Sequence, residues 1–370
     1  MNTLVKQSTN QARSYYVKLT APKIMSEELY IKNWIRNEIA RNTAENELKK
    51  VNPADYQSSA DFFVAYSPEF RTKLQTKIWD ALPEKRNAVW NKLKVPYKNI
   101  ERSFIGLITQ RNKSALSKQY KTFIDYNLAL YKIPKSIYKL FIKDFDKIVK
   151  ICHSHLSIGD NINDFYTEFE NHCYLCNLQE FCFNNLNEVK HYVSSNNKII
   201  GAYKSKIDIA FGDSSQSSYI KETDRFKIQI NKNQNFRHQS IDLIHELSHI
   251  IYRIECYKKE ILPEENGSYI NELETTKIEL NILKGISISI YGTIFGEFLK
   301  VFHRVLFEIE IYKNPNQDLD KIYASTFNVC FKGSNQIKNR SFILDEKIIR
   351  NPFSTLPHAI AQFRIIKQLI

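Results

Sequence analysis

"IDLIHELSHIIYRIE", residues 241–255, places His245 and His249 four positions apart, with Glu246 directly after the first. An α-helix turns 100° per residue, so positions i and i+4 share one face, one turn apart. The spacing therefore presents two imidazole nitrogens to a common point, with a carboxylate at the same edge. Two neutral nitrogen donors beside a general base are the physical content of an H-E-x-x-H pattern, which suits a zinc ion and a water to be deprotonated. The flanks fit a helix buried beneath a site. Ile244, Leu247, Ser248, Ile250 and Ile251 carry no charge, and Leu243, Leu247, Ile250 and Ile254 form an apolar stripe away from the histidines.

Upstream, "DRFKIQINKNQN" (224–235) alternates Phe226, Ile228 and Ile230 against Lys227, Gln229 and Asn231, the pattern of a half-buried strand. A strand so placed before the histidines resembles the edge strand of the zincin metallopeptidases, which implies an edge position whose free backbone would pair with an extended peptide. "NKIIGAYKSKIDIAFGD" (197–213) reads as further β-branched runs, and the catalytic helix is expected to begin near Ser240. Downstream, residues 269–312 read as two helices broken near Gly292 or Gly296, and "HAIAQFRIIKQLI" (358–370), after Pro357, as a last helix. Residues 1–145 read as helices with basic, polar faces, among them 26–50, opening at a Ser26 cap, and 67–94. The expected class is α+β, predominantly α: a helical N-terminal region, 1–145, for docking or support, then a domain with a small sheet, 146–370.

With 43% hydrophobic residues in 370, the chain can bury a sizeable core. Its net charge of +13 favours an acidic partner, but the lysines are spread along the chain, and no nucleic-acid-binding motif accompanies them. A nucleic-acid partner is therefore not expected. No apolar run reaches membrane-spanning length, and the first 20 residues show no apolar signal-peptide core. These features point to cytoplasmic residence or to secretion without such a signal, including delivery into a host cell. Of six cysteines, Cys173, Cys176 and Cys182 cluster near His153, His155 and His172. A single C-x2-C supports reduced thiols first, with a second metal site as the alternative.

The 241–255 stretch resembles the zincin metallopeptidases. Metzincins place a glycine and a third histidine where Tyr252 and Glu255 stand here, so that subclass does not fit. Gluzincins take a third ligand from a glutamate on a following helix. "ELETTKIE" (272–279) resembles the second-helix segment of the oligoendopeptidase F and thimet oligopeptidase families, where a ligating glutamate precedes another glutamate by seven residues. The resemblance implies a zincin-like core holding one zinc through His245, His249 and Glu272, with Glu246 as general base and Glu279 beside the first histidine. Glu274 is the alternative third ligand, about 200° around the helix from Glu272. The later His/Tyr-rich segment that serves the oxyanion in those families is not evident, which leaves His303, Tyr291 and Tyr269 as candidates. The layout is also similar to bacterial effector proteases that add a helical domain to a short zincin core. The expected activity is a zinc endopeptidase acting on a protein or peptide. A zinc hydrolase of other substrates and a non-enzymatic basic binding module are the competing readings.

Overall fold

The computed structural model describes residues 23–50, 101–155, 183–232, 236–286, 290–331, 342, 348–349 and 351–369. Along the chain these form α1 (Glu27–Lys50), α2 (101–117), α3 (Phe123–Leu130), α4 (Lys135–His155), α5 (Leu186–Asn196) and α6 (Lys198–Tyr203). Strands β1 (Ile207–Gly212), β2 (Gln216–Ile220) and β3 (Arg225–Asn231) follow. The remaining helices are α7 (Phe236–Lys258), α8 (Ser268–Lys284), α9 (Ile290–Lys313), α10 (Leu319–Cys330) and α11 (Leu356–Leu369). The architecture is α+β and predominantly α, as the patterning implies. The segment 67–94 lies outside the described residues.

Two compact units emerge. The first comprises Met1–Ile39, Phe181–Asn266 and Glu274–Ile286; the second comprises Ala40–Glu180, Gly267–Leu273 and Ser287–Ile370. The helix α8 is continuous across the division.

In the first unit the sheet runs β1-β3-β2, with β1 parallel and β2 antiparallel to β3. The alternation read in β3 is realised: Phe226, Ile228 and Ile230 are wholly buried, while Lys227 faces out. Its expected edge position is not. β3 is the central strand, because β1 and β2 pair with its two sides, and β2 is an outer strand of the described sheet. The helix α7 packs on β3 and β2, with Leu243, Leu247, Ile250 and Ile254 fully buried.

Three local expectations shift for identifiable reasons. "KIIGAY" is helical despite its β-branched residues, because the Asn197 side chain caps it, accepting from the backbone of Ile199 and Ile200 at 3.0 and 3.2 Å. The helix α7 starts four residues earlier than Ser240, at Phe236. The chain breaks at Gly285 and not at Gly292 or Gly296, which α9 passes through. A Cβ on Gly285 would lie 2.6 Å from the Tyr192 hydroxyl, so the tyrosine would have to shift for any larger residue there. The Ser26 cap forms as read, its hydroxyl accepting from Leu29 N at 3.2 Å.

In the second unit α2, α3, α4, α9, α10 and α11 share an aromatic core. Phe141 meets Phe302 at 5.7 Å and Phe363 at 5.5 Å, both edge-on, and Phe104 stacks on Phe342 at 5.1 Å. Among the described residues no helix is long and apolar enough to cross a membrane.

The end of α7 fixes where the chain turns toward α8. Ile261 N reaches Cys256 O at 2.9 Å and Glu260 N reaches Tyr257 O at 3.1 Å, a Schellman closure with Glu260 in the left-handed region at φ 55°. The Glu260 side chain is exposed, so its Cβ adds strain without packing in return. Glu260→Gly should stabilise the protein by about 0.5–1 kcal/mol. A urea denaturation series showing a loss of stability would contradict this account of the helix end.

Candidate metal centre

The geometry around α7 is built from one face of one neighbouring helix. His245 Nδ1 lies 2.9 Å from Glu279 Oε2, and His249 Nδ1 lies 2.9 Å from Thr275 Oγ1. Both partners come from α8. The two Nε2 atoms then converge on each other at 3.1 Å, with the rings nearly perpendicular.

That arrangement is a test of fit for a cation. An ionised Glu279 can only accept, so the neutral His245 ring carries its hydrogen on Nδ1 and leaves Nε2 bare. The Thr275 hydroxyl accepts as readily as it donates, so His249 can take the same tautomer. Two lone pairs then aim at one point from 3.1 Å apart. Nitrogen ligands of a tetrahedral zinc, each about 2.0–2.1 Å from the ion, stand about 3.3 Å from one another. The residues fit such an ion, and oxygen partners behind both rings are the usual support of a metal-binding histidine.

Glu246, one residue along, is 7% exposed. Burial pushes its carboxyl above the ordinary value. His245, a hydrogen bond from Ser217 and the Arg253 charge pull the other way, and Asp242 adds to the rise. Ser217 belongs to β2, and Arg253 Nη1 donates both to its carbonyl at 3.0 Å and to its hydroxyl at 3.1 Å. The hydroxyl hydrogen is thereby directed to Glu246. Asp242, one turn before Glu246, takes a hydrogen bond from the Ser215 hydroxyl, whose oxygen in turn accepts from Asn231 N at 3.1 Å. The carboxylate is thus dry yet held in place.

On α8, Glu272 lies seven residues before Glu279, which returns it to within about 20° of the same face. Its Oε2 approaches His358 Nδ1, from the first turn of α11, at 3.0 Å. Glu274 instead pairs with Lys277 on its own helix at 2.7 Å and is partly exposed.

The candidate oxyanion donors fare differently. His303 is buried in the second unit, its Nε2 on the Tyr323 carbonyl at 3.2 Å and its ring against Tyr323 and Phe327. Tyr269 is buried in the same aromatic core. Tyr291 falls in α9, with its side chain outside the described residues. Cys173, Cys176, Cys182 and His172 lie outside the described residues. His153 sits on the Cys330 carbonyl at 2.5 Å. Cys152 and Cys330 are buried thiols, and burial pushes Cys152 up to about 12, far from the thiolate form a metal requires.

Thr275, Ser217, Arg253 and His358 escaped the sequence reading. Thr275 alone had a local signal, because it shares the helical face of Glu272 and Glu279.

Neither a protein-family model nor a curated protein matches the sequence. The fold, however, is similar to solved structures. One is a PZ peptidase A with an inhibitor, at TM-score 0.58 and 14% identity over 87% of this chain and 69% of that one. A second is described as an oligoendopeptidase F from Bacillus anthracis str. Ames, at TM-score 0.52 and 13% identity over 96% and 73%. A third, also described as an oligoendopeptidase F, gives 0.54 and 12% over 97% and 78%. At these identities the likeness is one of fold.

The raised Glu246 carboxyl has a consequence for stability. A carboxyl whose folded value lies above its unfolded one penalises the native state once pH exceeds the ordinary 4.5, and not below it. In chelator-treated protein, Glu246→Gln should therefore raise the melting temperature near pH 7, and the gain should fade as pH falls toward 4. A gain that instead grew on acidification would show that burial does not dominate at Glu246.

Proposed function

We propose that this chain is a zinc-dependent endopeptidase. The observation that carries the reading is the pair of Nε2 atoms at 3.1 Å, each ring backed by an oxygen from the same helix. The likeness of the fold to proteins described as peptidases supports it. His245 and His249 would hold the ion together with Glu272, whose place on α8 follows the same face as Thr275 and Glu279. Zinc so held supplies a Lewis acid that polarises a peptide carbonyl and brings a water to a pKa of about 7.

The protein's own groups do the proton work. Glu246 would take the proton from an attacking water and return it to the amine nitrogen as the C–N bond breaks. A carboxyl raised by burial suits both duties near neutrality, because it accepts a proton without holding it too weakly to carry. Ser217 and Arg253 keep its oxygens from swinging away between the two steps. An extended substrate would lie along β2, the outer strand that packs against α7, and not along β3. The substrate class in this reading is protein or peptide.

The metal analysis of purified protein tests the reading directly. The expected content is about one zinc per chain. His245→Ala, His249→Ala and Glu272→Ala should lose it under mild chelation, whereas Glu274→Ala should retain it with a stability change below about 0.5 kcal/mol. Glu246→Gln should keep zinc while abolishing cleavage of a quenched fluorescent peptide library. Absence of stoichiometric zinc after reconstitution would end the peptidase reading. Retained cleavage in Glu246→Gln would remove the assigned base.

A further inference from the structure

We infer that the outer edge of β1 is a self-association surface, where a second copy of this chain adds its own β1, antiparallel and centred on Ile209. The surface lies wholly in the first unit and does not depend on the zinc reading.

In the described sheet β1 pairs with β3 on one side only. Lys232 N donates to Gly212 O at 2.8 Å, so Gly212 turns its backbone groups toward β3. These groups alternate along a strand, which sends Asp208 and Ala210 the same way and leaves Ile207, Ile209 and Phe211 facing outward. The Ile207 carbonyl is met there by Lys190 Nζ at 2.6 Å. Among the described residues no such group meets the backbone of Ile209 or Phe211. Phe211 lies on the same face as the buried Ile207, yet it is 59% exposed. An open edge with an exposed apolar side chain is a template for strand addition.

The charge along this edge selects the occupant. Lys190 and Lys204 stand at its start, Lys204 Nζ against His191 Nδ1 at 2.9 Å. Asp213 follows its end, 85% exposed beside Lys232. Antiparallel pairing centred on Ile209 puts Asp213 of each copy opposite Ser205 of the other, between Lys204 and Lys206. It also sets Phe211 of each copy opposite Ile207 of the other. Residues 207, 209 and 211 all face outward, so these are hydrogen-bonded pairs. A two-fold contact needs a patch that complements itself, and an edge positive at one end and negative at the other does so. The contact is one strand wide, so the dimer is a weak one.

Sedimentation velocity of the full chain at increasing concentration is the test. Wild type should shift from monomer toward dimer, and high salt should reduce the shift. Ile209→Pro removes an outward N–H while sparing the bonds to β3, and the two-fold pair loses two hydrogen bonds. The dimer Kd should rise by about tenfold or more. Asp213→Lys should raise it about two- to tenfold, and adding Lys204→Asp should recover most of that loss. Both positions of this exchange are exposed, so it stands even if the proline variant does not fold. The Ile209 and Phe211 amides should gain hydrogen-exchange protection as the dimer forms. A wild type still monomeric at about 1 mM overturns the proposal. So does an unchanged Kd in folded Ile209→Pro or in Asp213→Lys. Amides already fully protected in the dilute monomer would assign the edge to another segment of the same chain, which overturns it as well.

Discussion

The contact between the Glu279 carboxylate and His245 Nδ1, 2.9 Å long, is the one on which the rest of the centre depends. It selects the tautomer of His245, sets the plane of its ring, and ties α8 to α7 at one rotation. Because α8 is a single continuous helix, that rotation is inherited by every residue along it. Thr275, one turn back, meets His249 by the same constraint, and Glu272 is carried onto the same face. Glu272, Thr275 and Glu279, at i, i+3 and i+7, share one face of the helix.

The rear of α7 explains how so polar a front is tolerated. Leu243, Leu247, Ile250 and Ile254 are fully buried, so the helix is anchored by apolar burial and not by its charged groups. Even the polar Ser248 buried in this helix turns its hydroxyl back onto the Ile244 carbonyl at 2.8 Å. Burying the Glu246 carboxyl is unfavourable, and Ser217 with Arg253 offsets that cost only in part, which is why its proton affinity stays raised. A carboxyl in that condition is poised for proton transfer. The second unit spends its buried charge in another way. Glu308 holds a strained turn among aromatic rings and so fixes the start of α11.

The sequence by itself determined the parts that depend on periodicity. The i, i+4 histidines, the apolar stripe beneath them, the alternation of β3 and the helix carrying 272–279 all follow from where side chains must point on a helix or a strand. It misplaced the Asn197 cap that makes 198–203 helical, and the break at Gly285, where the Tyr192 hydroxyl comes close to the backbone. Only the tertiary structure decided strand order, since pairing partners leave no trace in the alternation of the strand they flank. β3 is therefore central and β2 outer. It also decided which distant groups meet. Ser217 reaches Glu246 through the position of a strand, and His358 reaches Glu272 through a turn held by Glu308. The composition of such pairs is local, but their meeting is a property of the packed chain, because long-range contacts are fixed by the burial of the elements that carry them.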